Sequence, residues 1–171
     1  MLLSLADLAL RGGERYQRIY LLEFDPVVLG GVEYGVLAPE GALITVDRVA
    51  GGYLVNLDVD AKVYGPCARC LREAVVEVHA EQQEFAPTAK DGWQETEGSE
   101  FIKDLVVDVR GLAREALVLA LPARVVCVED CKGLCSVCGK DLNKGPCGCA
   151  ERQVDERWSR LKDLRLDEGS S

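Results

Sequence analysis

The residues best equipped for chemistry are eight cysteines, which fall into four short-spaced pairs: Cys67 with Cys70, Cys127 with Cys131, Cys135 with Cys138, and Cys147 with Cys149. Two thiolates separated by two residues can turn back onto one ion, and zinc takes four such ligands tetrahedrally. Eight thiolates divide into two closed four-cysteine sites with none left over. Gly139, directly after Cys138, suits the turn, because a glycine there allows positive φ and lets backbone N–H groups approach a thiolate. The pattern therefore predicts two structural zinc ions, with all eight cysteines as ligands.

Other uses of the thiols fit less well. A chain with no leader-like segment points to the cytoplasm, where thiols stay reduced, so disulfides are disfavoured. A redox role for Cys67 and Cys70 lacks the strand-to-helix context that activates such a pair. The spacing Cys131-x3-Cys135-x2-Cys138 matches that of radical S-adenosylmethionine enzymes, but neither the length nor an alternating β/α pattern for their barrel is present. Iron can replace zinc in four-thiolate sites.

The partition of ligands follows from loop closure. Cys135, Cys138, Cys147 and Cys149 lie close together, and "KDLNKGPCG" has the turn residues to bring them onto one ion. Cys67 and Cys70 then pair with Cys127 and Cys131 as a long-range staple. The alternative places Cys127, Cys131, Cys135 and Cys138 on one metal. With four protein ligands no position remains for water, so the sites are structural rather than hydrolytic.

Little else points to catalysis. His79, the only histidine, reads as a partly exposed strand residue, and without a partner histidine the carboxylates of "DVDAKV" and "EQQEF" read as solvated strand faces. No phosphate-binding glycine loop or nucleophile elbow occurs, so neither a catalytic residue nor a small-molecule substrate is expected. The net charge is −9 and would fall to about −13 with two zinc tetrathiolates, which argues against general binding of polyanions. Arg69, Arg72, Lys132, Lys140 and Lys144 lie near the cysteines but are interleaved with Glu129, Asp130 and Asp141, and read as solvated charges.

The elements that must hold these cysteines are mainly strands. "RIYLLEF", "VEYGVLA", "ALITVDRVA", "YLVNLDVDAKVY" and "EAVVEVHAEQQEF" are rich in β-formers, and Gly30-Gly31, Pro39-Glu40-Gly41 and Gly51-Gly52 separate the first four at hairpin-like intervals. Within the fourth, Tyr53, Val55, Leu57, Val59 and Ala61 face one way and Leu54, Asn56, Asp58 and Asp60 the other. Residues 1–10 read as a short amphipathic helix. Residues 86–100 read as a polar loop, with Trp93 folding back on the sheet. Leu105, Val109, Leu112, Ala116 and Leu119 fall at helical spacing, which favours a helix over a strand at 105–109 and ends at Pro122. "VDERWSRLKDLRL" reads as a closing amphipathic helix. The expectation is an α+β fold: an antiparallel meander or partly closed barrel with a helix over 1–122, and a cysteine-rich zinc module over 123–171 packed on it as one unit. No stretch approaches the length of a membrane span.

"CARCLREAVVEV", the downstream Phe85, "LALPARVVC", "CKGLCSVCGKDLN", "CGC" and "DERWSRLKDL" together resemble the YceD-type large ribosomal RNA subunit accumulation proteins, over roughly Leu21 to Leu164. Ser136 and Glu156 stand where that family commonly has proline; neither position supplies a ligand. The resemblance implies a non-catalytic role in ribosome biogenesis, through accumulation or processing of large-subunit RNA. The partner it implies is a ribosomal protein or assembly intermediate; direct contact of a zinc ribbon with ribosomal RNA is the alternative.

Overall fold

The computed structural model describes residues 1–88 and 99–149. Trp93 and the expected closing helix lie outside the described residues. Nine strands, one α-helix and a short 3-10 turn are present among those described: β1 Leu2–Ser4, β2 Arg15–Tyr20, β3 Val27–Leu29, β4 Val32–Leu37, β5 Ala42–Val49, β6 Gly52–Pro66, β7 Glu73–Pro87, β8 Ile102–Lys103, β9 Val106–Asp108, α1 Val109–Ala120 and the turn Leu142–Lys144.

The larger sheet is antiparallel throughout but not a simple meander, since β4 pairs with β6 rather than with β5, and the barrel is not closed. β6 and β7 form one long hairpin, paired without interruption from Gly52 with Pro87 to Pro66 with Glu73. On its other side β6 pairs with both β5 and β4, each antiparallel to it. β4 and β5 therefore run in the same direction, end to end. Leu37 faces Lys62 and Ala42 faces Val59, so the four residues 38–41 stand against two, Asp60 and Ala61. Pro39-Glu40-Gly41 is thus a wide bulge in one long strand, not the hairpin its composition predicts. Gly30 and Gly31 do form the expected two-residue hairpin, between β3 and β4.

Alternation along β6 decides where the core lies. Tyr53, Val55, Leu57, Val59, Ala61 and Val63 are buried, while Asp60 and Lys62 between them are exposed. Ile44 and Val46 of β5, and Val78 and Ala80 of β7, continue the same face. Onto it packs α1, which crosses β7 and β6 and buries Val109, Leu112, Ala113, Ala116 and Leu117. The helix starts later than its period suggests. Val106–Asp108 is a strand, and the Val109 N–H is taken by the Met1 carbonyl. Leu119 lies outside the buried stripe, 71% exposed.

The N-terminus is also a strand where a helix is expected. β1 pairs with β9, Leu2 opposite Asp108, and β9 pairs with β8, giving a second, three-stranded sheet. Leu3 and Leu5 are buried by it. Among the described residues no helix is long and apolar enough to cross a membrane.

Candidate metal centres

The hairpin of β6 and β7 does not close in a tight turn; it closes through Cys67–Arg72. The Cys67 N–H bonds the Arg72 carbonyl, and the Leu71 N–H returns to the Cys67 carbonyl at 3.0 Å. The same loop recurs at residues 135–139, where the Gly139 N–H returns to the Cys135 carbonyl at 2.9 Å. Each loop needs a left-handed residue just after its second cysteine. Gly139 fills that place at φ 71°, as the sequence predicts, and Leu71 fills it at φ 59° without a glycine's freedom.

In each loop a backbone N–H points at the first sulfur. Arg69 N lies 3.4 Å from Cys67 Sγ, and Val137 N lies 3.4 Å from Cys135 Sγ. Such donors favour thiolate over thiol.

The eight cysteines gather as two groups of four, with no disulfide among them. Cys67, Cys70, Cys127 and Cys131 form one group and Cys135, Cys138, Cys147 and Cys149 the other. Within each, all four Sγ atoms lie within 4.8 Å of one another. That is the partition loop closure predicts, and the alternative of Cys127, Cys131, Cys135 and Cys138 on one metal does not occur. In the first group the Cys67 and Cys131 sulfurs are 3.8 Å apart, and those of Cys70 and Cys127 are 3.6 Å apart. Sulfurs placed tetrahedrally at zinc–thiolate bond length stand about 3.8 Å from each other. The spacing is that of a closed tetrathiolate, and both groups are close enough to hold a metal ion.

Electrostatics give the same answer. Burial pushes the Cys67 thiol up, but the backbone N–H groups of Cys70, Arg69 and Cys127 outweigh it and bring its pKa down to about 6. Burial and the neighbouring thiols of Cys70, Cys131 and Cys67 push Cys127 up to about 12. In the second group the N–H groups of Cys138 and Val137 lower Cys135 to about 6, whereas the Cys138 thiol, burial and Cys147 raise Cys149 to about 12. Four sulfurs this close cannot all ionise unaided, because each thiolate opposes the next. A cation at the centre removes that conflict. The donor set therefore fits a thiophilic divalent metal.

The groups differ in setting. Cys67, Cys70 and Cys131 are buried, 0%, 4% and 1% exposed, and the site joins the hairpin tip to the segment after α1. Val125 N-terminal to Cys127 is also buried; its carbonyl accepts from the Ala68 N–H at 2.8 Å. The second group is more open, with Cys138 exposed.

Three further residues support the sulfurs and were not singled out as such by spacing alone. Gly133, at φ 73°, passes over the first loop so closely that a Cβ would stand 2.9 Å from the Arg69 carbonyl oxygen. That carbonyl accepts from the Leu134 N–H. Asn143 donates from Nδ2 to Cys131 Sγ at 3.5 Å and accepts at Oδ1 from the Lys132 N–H at 2.8 Å. Asp141 caps the turn Leu142–Lys144 by accepting from the Asn143 N–H, and its carboxyl is held below its ordinary range chiefly by the Asn143 side chain. The short-range Asp-x-Asn pattern is the signal that marks this turn.

Three of the five basic residues near the sites are engaged internally. Arg69 donates to the Cys131 carbonyl at 2.8 Å, Arg72 reaches Cys127 Sγ at 3.8 Å and Asp141 at 3.8 Å, and Lys140 Nζ donates to the Pro146 carbonyl at 2.8 Å. His79 lies away from both sites, on the outer face of β7. Its side chain is 53% exposed and contacts Asp60 at 2.9 Å and Glu81 at 3.2 Å. Asp58, His79 and Glu81 also converge within 4.8 Å, an exposed acidic cluster of the kind common without a metal.

Comparison with known proteins follows the same residues. An uncharacterized protein of Mycobacterium tuberculosis is 34% identical over 132 residues, 73% of this chain and 63% of that protein. One of Mycobacterium leprae is 29% identical over 136 residues, 78% of this chain and 61% of the relative. The chain thus spans less than two thirds of these relatives. A chloroplastic YCED homolog 1 of Arabidopsis thaliana, described as a large ribosomal RNA subunit accumulation protein, is 32% identical over 59 residues, 34% of this chain and 18% of that protein. No solved structure matches. The family model for large ribosomal RNA subunit accumulation protein YceD matches residues 55–165, from the core strand β6 through both cysteine groups, and the chain belongs to that family.

Proposed function

We propose that the protein is a zinc-stabilised, non-catalytic factor of ribosome biogenesis that supports accumulation or processing of large-subunit ribosomal RNA in the cytoplasm. The observation that carries the structural half is the pair of four-sulfur groups, each with its sulfurs within 4.8 Å of one another. In this reading all eight cysteines ligate two zinc ions, and residues 1–122 and 123–171 act as one unit through the first site. Zinc with four protein thiolates keeps no position for water, so it holds structure and does not activate a nucleophile. The family supports the biological half.

The partner in this reading is a ribosomal protein or a large-subunit assembly intermediate. The net charge of −9 and the internal engagement of Arg69, Arg72 and Lys140 weigh against phosphate contact by the metal modules.

Depletion of the protein tests the reading: mature large-subunit RNA should fall relative to small-subunit RNA. Wild type should restore it, and a chain with Cys67→Ser and Cys70→Ser should not. Pull-down from extract with and without nuclease separates the two contacts, since a protein partner survives digestion. An unchanged subunit ratio on depletion would refute the biogenesis role, and loss of every partner on digestion would favour direct RNA binding.

A further inference from the structure

β7 is an edge. It pairs with β6 along all fifteen of its residues and with no other strand among those described. The register shows which backbone groups are spare. The Thr88 N–H bonds the Gly51 carbonyl at one end of the hairpin, and the Cys67 N–H bonds the Arg72 carbonyl at the other. Antiparallel pairing alternates bonded and unbonded positions, so the even-numbered residues of β7 bond to β6. The odd-numbered ones, Val75, Glu77, His79, Glu81 and Gln83, turn their N–H and C=O groups outward.

A strand added there would meet two distinct surfaces. On the outer face its side chains would lie beside Glu77, His79 and Glu81, with Asp58 and Asp60 one strand further in. Lys62, paired to Glu77 at 3.4 Å, is the one lysine in this stretch of β6 and β7. On the inner face its side chains would enter two grooves between β7 and α1. These are lined by Ala80, Gln82 and Glu84 on one side and Glu115, Ala116 and Leu119 on the other, and no lysine or arginine lines either. Leu119 projects into both grooves. Gln82 lines them too, and its Oε1 is buried with no hydrogen-bond partner among the described residues. It is an acceptor waiting for a donor.

We propose that the free edge of β7 and the α1 groove bind an extended, basic peptide segment of a partner protein by strand addition. Main-chain hydrogen bonds to the odd-numbered residues supply register. Lysine or arginine at alternate positions answers Glu77 and Glu81 outside, and the apolar positions between them enter the grooves and meet Leu119. This narrows the protein-partner reading above to one surface and one ligand chemistry, and rests on it.

Two other occupants are disfavoured by charge. A second copy adding antiparallel about His79 would set Glu77 opposite Glu81 twice, a destabilising cross-strand pairing. The chain's own stretch 89–98 carries Asp91, Glu95 and Glu97 against Lys90 alone, so it matches the charge of the groove rather than complementing it.

The test uses the full zinc-loaded chain and a panel of labelled nonapeptides with Lys or Arg at alternate positions and Val, Leu or Thr between. Binding should weaken as salt rises. Hydrogen exchange should slow at Val75–Gln83. Charge reversal by Glu77→Lys with Glu81→Lys should weaken binding at least about tenfold while zinc content and unfolding midpoint hold. Methylating alternate peptide nitrogens, which keeps charge but removes donors, should abolish binding. The proposal is overturned if no peptide protects β7, or if the methylated peptides bind as well as the parents. It is also overturned if binding needs residues 89–98 replaced by a Gly-Ser linker, or if the free protein sediments as a dimer that Glu77→Lys tightens. Any of these leaves the depletion result, and so the biogenesis reading, to stand or fall separately.

Discussion

Replacing Cys67 by Ser should unseat far more than one ligand, whereas Cys138→Ser should be almost local. Cys67 is fully buried and its group closes a span of 64 residues to Cys131. Once the metal is lost, the segment after α1 is free to leave the hairpin tip. Its departure exposes Val125, now 1% exposed, and breaks three hydrogen bonds: Ala68 N–H to Val125, Leu134 N–H to Arg69, and the Arg69 side chain to Cys131. A buried valine is worth about 1.5–2 kcal/mol and each net hydrogen bond about 1, so the loss is about 4–5 kcal/mol. That is a large share of a typical domain's stability of about 5–15 kcal/mol. The second group closes only the short span from Cys135 to Cys149 and buries no large side chain of its own, so Cys138→Ser should cost the sheet less than about 1 kcal/mol. The assay is elemental analysis with urea unfolding followed by circular dichroism. Both variants should fall from two zinc ions to one, and only Cys67→Ser should shift the sheet's midpoint strongly. Equal midpoints, or a sheet that unfolds with Cys138→Ser, would refute the assignment of stability to the first group.

Three smaller changes probe the supports. Gly133→Ala places a Cβ 2.9 Å from the Arg69 carbonyl at φ 73° and should cost at least about 1 kcal/mol in urea unfolding, while Leu71→Gly, at φ 59° on a 68% exposed residue, should be neutral or slightly stabilising. Asn143→Ala removes the donor to Cys131 Sγ and should weaken zinc about 10- to 100-fold in chelator competition, with the fold intact. His79 should titrate above 6.5, raised first by its hydrogen bond to Asp60 and then by Glu81. Its folded pKa is higher than its unfolded one, so its stabilising contribution is full below about 6.5 and disappears as pH rises through the folded value. A proton-NMR titration reading at or below 6.5 would contradict this, and His79→Ala should remove that pH dependence.

Several features of this protein are written in short-range pattern. The alternation from Tyr53 to Ala61 determines the buried face of β6, because a strand's side chains must take opposite sides whatever lies around it. The partition of the cysteines was legible for a similar reason: short loops close cheaply, and the four in Cys135–Cys149 could find each other within their own stretch. Other features depended on partners far along the chain. "MLLSLADLAL" has a helical pattern, yet Leu2–Ser4 is a strand because Val106–Asp108 offers it an edge. Pro39-Glu40-Gly41 has the composition of a reversal, but both flanking strands found the same long partner, β6, and the chain ran straight on. Leu71 stands at positive φ because it closes the loop from Cys67 to Arg72, its N–H returning to the Cys67 carbonyl, which no local preference of leucine foretells. The open edge of β7, with α1 leaving a groove beside it, is likewise decided only when the sheet is assembled. Local propensity is a matter of fractions of a kcal/mol per residue, and pairing across the fold outweighs it.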